Sequence, residues 1–142
     1  MKWANSEFGM ACEQLLIPLF EGMDKAPNNA LTGLSRSQRN LVNEAIKSDD
    51  FEGKKGQRMD VWTPGCRILL IGMGKKESLG HRQSRNTGAR VMSSLSKAKG
   101  LEICVRFTSG WTIERMVDFA EGMMLRDYEF LEHQQVIQYL LC

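Results

Sequence analysis

The patterns along this chain predict an α/β domain with a layered mixed β-sheet that is flanked by helices. Strand-like apolar runs alternate with segments that have helical spacing, which is the order typical of that class. The run ILLIGM is apolar on both of its alternating faces, as expected of a strand in the middle of a sheet. The length of 142 residues suits one hydrophobic core, so we expect a single domain over residues 1–130.

The first half of the chain predicts a strand, a helix and a hairpin. QLLIPLF at residues 14–20 has the length and apolarity of a strand, and Pro18 predicts an edge position or a bulge because proline lacks an N–H. Ser35 and Gln38 have the spacing of a capping box, so a helix is expected over residues 36–48. RMDVW and CRILLIGM are then expected to be two strands joined by a Thr-Pro-Gly turn.

The second half predicts a helix, a strand and a last helix. A helix over residues 80–99 would bury an apolar side and expose a basic side, which carries Arg82, Arg90 and Lys97. LEICVRF at residues 101–107 has the composition of a strand, and the glycine before it is a natural helix stop.

Thr112 is expected to cap the last helix. Apolar residues at helical spacing predict its buried stripe, which consists of Ile113, Met116, Val117, Ala120 and Met124. Gly122 is expected to let this helix approach the sheet closely, and Asp118 and Glu121 are expected on its solvated outer side.

The charge of the chain limits the classes of partner. The formal net charge is only +2, too small to indicate a nucleic-acid or membrane protein from bulk electrostatics. The distribution is uneven, because residues 75–106 hold eight basic and two acidic side chains, whereas residues 114–132 hold two basic and six acidic ones. A nucleic-acid-binding module that uses Arg82, Arg90 and Lys97 is therefore one candidate function, and an ordinary solvated helix face is the alternative.

Apolar segments long enough for a membrane or a signal peptide are not apparent. A membrane helix needs about 20 predominantly apolar residues, and the longest runs here are as short as LLIPLF. We therefore expect a cytoplasmic protein with no membrane partner.

The cysteines are far apart and have no metal-binding spacing, so separately buried reduced thiols are expected at Cys12, Cys66, Cys104 and Cys142.

The glycines of GMGKKE, residues 72–77, raise the question of a phosphate-binding loop. A Walker loop needs four residues between its glycines, and the dinucleotide fingerprint needs a third glycine where Glu77 stands. Neither histidine, His81 or His133, has the spacing of a metal site, and no serine lies in a nucleophile elbow. No catalytic, cofactor-binding or metal-binding residue is predicted.

Five segments, in order, resemble the N-terminal domain of cytosolic leucyl aminopeptidases. They are FEGM, GLSRSQRNLVNEAIKSDDFEGKKGQ, RILLIGMGKKE, GARVMSSL and FAEGMMLRDYEF. The resemblance covers most of residues 14–130, and its most similar parts are LLIGMGKKE and AEGMMLRDYEF. It implies a macro-domain-like fold in which Gly72 and Gly74 turn the chain after a central strand, with Lys75 and Lys76 at the surface.

The resemblance also implies a function for the parent protein. In this family a larger C-terminal domain binds two divalent metal ions, Zn or Mn, and hydrolyses N-terminal residues from peptides. Its Asn-Thr-Asp-Ala-Glu-Gly-Arg segment does not occur here. The chain is thus expected to be a noncatalytic structural and assembly domain, with the C-terminal domain as partner and a hexamer as the assembly. DNA binding, known in some bacterial members, and ADP-ribose binding, by fold analogy alone, are the alternatives.

The last residues depart from the family pattern. Leu131-Glu132-His133 resembles the start of a cloning-vector tail, so we hypothesise that residues 131–142 are non-native or shifted in reading frame. A native transcript that encodes the same ending would reject this hypothesis. The alternative is that the apolar residues from Val136 to Leu141 form an interaction helix.

Overall fold

The structure is a computed structural model that describes residues 14–22, 31, 33–94, 102–108, 110–128 and 136–140. Its elements in chain order are β1 (Gln14–Leu19), α1 (Arg36–Ser48), β2 (Arg58–Thr63), β3 (Cys66–Gly72), α2 (His81–Ser94), β4 (Glu102–Arg106), α3 (Ile113–Tyr128) and β5 (Val136–Leu140). A short 3-10 turn, Lys76–Ser78, lies between β3 and α2. The predicted alternation of strands and helices is confirmed.

The strands form one mixed sheet in the order β2-β3-β1-β4-β5. Strand β1 runs parallel to β3 and to β4, and β5 runs parallel to β4. The predicted hairpin supplies the antiparallel pair, in which β2 lies against β3. Strand β3 is therefore paired on both sides, which confirms the interior position expected from its apolar faces.

The prediction of an edge position or a bulge at Pro18 is wrong. Strand β1 is the middle strand, and Pro18 lies in register with Ile71 of β3. Met73 donates its N–H to the carbonyl of Leu19, so Leu19 directs its backbone groups toward β3. Successive residues of a strand alternate in this direction, so Pro18 directs its own backbone groups away from β3. Pairing with β4 ends at Leu16, and the Pro18 carbonyl instead accepts a hydrogen bond from Nε1 of Trp111 at 3.2 Å. The N–H that Pro18 lacks is therefore not needed for a hydrogen bond between strands.

The sheet is covered on both faces, which gives three layers. Leu15, Ile17 and Leu19 face α1, where they pack with Val42 and Ile46. The alternate residues of the sheet face the other two helices, and this second core cluster includes side chains from both α2 and α3. Two apolar cores thus enclose a sheet whose middle strands are buried on both faces.

The helix predicted at residues 36–48 is confirmed, as is its capping box. Ser35 accepts the N–H of Gln38, and the Gln38 side chain accepts the N–H of Ser35 at 2.9 Å. Helix α2 begins at His81, close to its predicted start, and is described as far as Ser94. Residues 95–100, and with them Lys97, lie outside the described part of the chain.

The buried stripe predicted for the last helix is only partly right. Ile113 is 75% exposed, Val117 50% and Met124 43%, whereas Met116 is buried as predicted. Phe119 and Met123 complete the buried face with Met116. Apolar residues occupy two adjacent faces of this helix, so periodicity alone could not decide which of them meets the sheet.

Residues 136–140 form a strand, so the alternative of an interaction helix in the tail is wrong. Val136–Leu140 pairs in parallel with β4, whose outer edge would otherwise expose unpaired backbone groups.

The cysteine prediction is also wrong at one position, because Cys104 is disulfide-bonded, whereas Cys66 is a free and buried thiol. Burial raises the pKa of the Cys66 thiol, which disfavours the reactive thiolate form.

Candidate functional site

The backbone amides of residues 72–74, in the glycine loop after β3, are all used in hydrogen bonds within the protein. The N–H of Gly72 donates to the carbonyl of Gln57 at 2.8 Å, and that of Gly74 donates to Gly53 at 2.9 Å. The N–H between them, on Met73, donates to Leu19 at 2.9 Å. A phosphate loop needs such donors to converge on a ligand, so the two glycines and the methionine between them do not form one.

Close backbone contacts explain the two glycines of this loop. A Cβ at Gly72 would lie 2.1 Å from the carbonyl oxygen of Lys54, a separation that the backbone cannot tolerate. Gly74 has a φ of 78°, in the left-handed region that favours glycine. Lys75 and Lys76 follow with exposed side chains, as the resemblance implied.

An open cleft of about 750 Å³ lies at the carboxyl ends of the parallel strands. Open α/β sheets commonly bind ligands at this edge, so the cleft is the first place to look for a site. Its lining comes from the residues that follow β1, β3 and β4: Phe20, Glu21, Gly22, Lys75, Lys76, Glu77 and Gly110. The amides of Glu21 and Gly22 are used, since they donate to Gly74 and Glu52. Two lysines and two glutamates leave the lining without net charge, and ADP-ribose binding stays a prediction.

The structure separates the residues of the predicted basic face. Arg82 and Arg90 are both exposed on α2, and Lys97 lies outside the described residues. Eight residues along a helix correspond to a rise of about 12 Å and a rotation of about 80°. Arg90 consequently lines a cavity next to Lys55 and Arg58, and Arg82 does not. Nucleic-acid contact by these residues stays a prediction.

Two glycines bring α2 and α3 into direct backbone contact. A Cβ at Gly88 would lie 2.2 Å from the carbonyl oxygen of Phe119, and one at Gly122 would lie 2.0 Å from that of Arg85. Gly122 therefore permits a close approach to α2, and the predicted approach to the sheet is wrong. Small residues at the crossing let the two helix backbones lie nearer than side chains would allow.

A buried carboxylate stabilises the same helix pair. Asp118 is buried, and its Oδ1 lies 2.5 Å from Nδ1 of His81 on α2. Its Oδ2 lies 3.2 Å from Nη1 of Arg115, an ionic contact without the angle of a hydrogen bond. Arg85 adds a bond of 2.8 Å to Glu121 across the helices. The expected solvation of Asp118 is thus wrong, and the i, i+3 spacing from Arg115 was the sequence signal that could have indicated a pair.

Replacing Asp118 with alanine is expected to lower the free energy of unfolding by about 1.5–3 kcal/mol, because His81 and Arg115 lose a charged partner. Chemical denaturation followed by circular dichroism measures the change. Glu114→Gln is the matched control, since Glu114 is exposed and contacts the same arginine at 3.6 Å. Equal stability of the two variants would show that the carboxylate does not hold the helices together.

Metal-ligating side chains are not grouped in the described residues. Within that part of the chain, no set of three or more histidine, cysteine, aspartate or glutamate residues could hold an ion. The helices that are described there also include none long and apolar enough to cross a membrane.

Comparison with known proteins agrees with the fold. The model of the cytosol aminopeptidase family, N-terminal domain, matches residues 16–135. Leucine aminopeptidase A1, chloroplastic, from Solanum lycopersicum is 28% identical over 110 residues, which cover 74% of this chain and 19% of that protein. A probable cytosol aminopeptidase from Cupriavidus necator is 32% identical over 94 residues, which cover 61% of this chain and 18% of that protein.

Solved structures show the same architecture. A tomato leucine aminopeptidase mutant superimposes with a TM-score of 0.61 at 24% identity, covering 92% of this chain and 30% of that one. The bottromycin maturation enzyme BotP in complex with Mn gives 0.58 at 16% identity, covering 93% and 27%. The chain spans about a fifth of the length of the curated relatives. Because the family model covers most of its residues, this chain belongs to the cytosol aminopeptidase family and contains its N-terminal domain.

Proposed function

We propose that this domain is a noncatalytic structural and assembly module of a metal-dependent leucyl aminopeptidase. The observation that carries the proposal is the family match, which is to the N-terminal domain and takes in residues 16–135. The relatives are about five times longer than the matched segment, so most of each relative lies outside the part that resembles this chain. In the proposal, peptide hydrolysis and the two divalent ions, Zn or Mn, belong to that further C-terminal domain.

An exposed apolar face of α3 supports the assembly role. Ile113, Val117 and Met124 lie on one side of the helix, and Leu125 lies beside them. Adjacent exposed apolar side chains of this size commonly mark a protein interface. Within the described part of the matched segment, helix α3 is also the helix nearest in sequence to a domain that follows. We therefore assign this face to the C-terminal domain of the parent, with hexamer formation as a property of the whole enzyme.

The purified 142-residue chain is expected to show no turnover of a leucine amide, with or without added Zn²⁺ or Mn²⁺. The physical reason is that water activation by a metal pair needs a clustered ligand set, which the proposal assigns to the C-terminal domain. A chromogenic leucine amide assay measures the rate, with the tomato enzyme as positive control. Metal-dependent turnover that copurifies with the chain would contradict the proposal.

The native size of the protein tests the parentage directly. An antibody raised against this chain, applied to an extract of the source cells, is expected to detect a band far above 16.1 kDa. A band near 16.1 kDa would mean a stand-alone domain and would overturn the assignment.

The proposed compartment is the cytoplasm, after the relatives named cytosol aminopeptidases. Because the tomato relative is named chloroplastic, the same antibody on fractionated cells tests this assignment.

A further inference from the structure

A second cavity, separate from the cleft at the carboxyl ends, lies between α2 and the β2–β3 hairpin. Helices α2 and α3 cover one face of the sheet at β3. They leave that face uncovered at the edge strand β2, so Arg58 and Trp62 are exposed. The overhanging strand and the helix enclose a cavity of about 220 Å³. Residues 55–58 form its wall on the hairpin side, and residues 83–93 contribute from α2.

The lining of this cavity is positively charged. Lys55, Arg58 and Arg90 line it, and no aspartate or glutamate does. None of the three cations forms an ion pair within the described residues. Two other arginines on the same side of the sheet are paired, Arg67 with Asp60 and Arg85 with Glu121. The lining of the cavity itself carries three positive charges and no negative one.

The floor of the cavity is apolar, and its wall is preformed. Ile71, Met73, Leu79 and Val91 line the floor, where they continue the core between the sheet and α2. The Gln57 side chain fixes the wall, because its Oε1 accepts the N–H groups of Glu52 and Lys54 at 3.0 and 2.9 Å. A cation-lined mouth above an apolar floor is complementary to a molecule with a charged head and a compact apolar body.

We propose that this cavity binds a small organic anion, with a phosphate or carboxylate head held by Lys55, Arg58 and Arg90 and an apolar body on the floor. Arginine and lysine side chains form their strongest hydrogen bonds with such heads. The volume of about 220 Å³ fits a compact ligand and is too small for a dinucleotide. This site does not depend on the aminopeptidase assignment, because its residues belong to the domain itself.

Titration of the isotopically labelled chain with phenyl phosphate, followed by nuclear magnetic resonance, tests the site. We expect amide shifts that saturate and map to residues 55–58, 71–73 and 87–93. Arg90→Gln is expected to weaken binding about tenfold, because a charge-assisted hydrogen bond is lost. Arg82→Gln is the matched control, since Arg82 is exposed on the same helix but does not line the cavity. Both side chains are exposed, so both variants are expected to keep the wild-type melting temperature.

Further ligands separate the parts of the proposal. Benzoate replaces the phosphate head by a carboxylate, and binding of either ligand at the mapped residues supports the site. Benzyl alcohol keeps the ring without a charge, and inorganic phosphate keeps the charge without a ring; both are expected to bind at least tenfold more weakly than phenyl phosphate. The proposal is overturned by equal affinity of either control ligand, by unchanged affinity in Arg90→Gln, or by shifts that map elsewhere.

Discussion

Phe119→Ala is expected to lower the free energy of unfolding by about 3–5 kcal/mol. Phe119 is fully buried on α3, and its ring packs edge-on against Phe107 at 5.6 Å and against Trp111 at 5.7 Å. Removing the Phe119 ring therefore leaves a cavity beside Phe107 and Trp111, and Trp111 in turn contacts Phe20 at 5.2 Å. These aromatic contacts connect α3 to the carboxyl end of the sheet, and the surrounding backbone is too constrained to close the gap.

Thermal denaturation followed by circular dichroism measures this effect. For a domain of this size, such a loss corresponds to a fall in Tm of roughly 10–17 °C. Leu125→Ala is the matched control, because Leu125 lies on the same helix and is 61% exposed. Its effect is expected within about 0.5 kcal/mol of zero. If Phe119→Ala had the same melting temperature as Leu125→Ala, the aromatic cluster would not stabilise the domain.

Gly122→Val is expected to destabilise the domain by about 3 kcal/mol through overpacking. A Cβ at position 122 would meet the carbonyl oxygen of Arg85 at 2.0 Å, and the atoms it meets are backbone, which cannot turn aside as a flexible side chain would. Helices α2 and α3 must therefore move apart. This movement weakens two contacts between them, the hydrogen bond from Arg85 to Glu121 and the contact between His81 and Asp118.

Chemical denaturation separates this clash from the ordinary cost of valine in a helix. Leu125→Val introduces the same side chain at an exposed position of α3, so it measures the effect of valine in this helix without the clash. Because valine is a better helix former than glycine, helix propensity cannot account for a loss of stability in Gly122→Val. We expect a clear difference in denaturation midpoint between the two variants. Coincident unfolding curves would mean that the helices do not meet at this glycine.

Local patterns predicted the elements whose structure depends on neighbours in sequence. The capping box at Ser35 and Gln38 predicted the start of α1, since both partners lie within one helical turn. The β2–β3 hairpin followed from two candidate strands, RMDVW and CRILLIGM, and the Thr-Pro-Gly turn between them, because a short connection leaves an antiparallel pair as the simplest arrangement. The family was also evident from the sequence, because the motifs that carry it are contiguous segments.

The candidate sites depended on distant segments and were largely missed. Helical spacing groups Arg90 with Arg82, yet Arg90 lines a cavity with Arg58 of β2 and with Lys55, which precedes that strand. Helical spacing also places Asp118 in solvent, although its partners include His81, which lies 37 positions earlier. No spacing rule relates residues so far apart, since their contact requires α2 and α3 to be packed first.

Local patterns along the chain were enough to predict the α/β class, the boundaries of α1, the hairpin and the family. Only the packed fold shows that Pro18 lies in the middle strand. It also shows that α3 buries Met116, Phe119 and Met123 while it exposes Ile113. The reason is physical: periodicity and propensity record what a segment favours locally. The side on which a strand is paired, or the face on which a helix is covered, is set by the surfaces that fold against it.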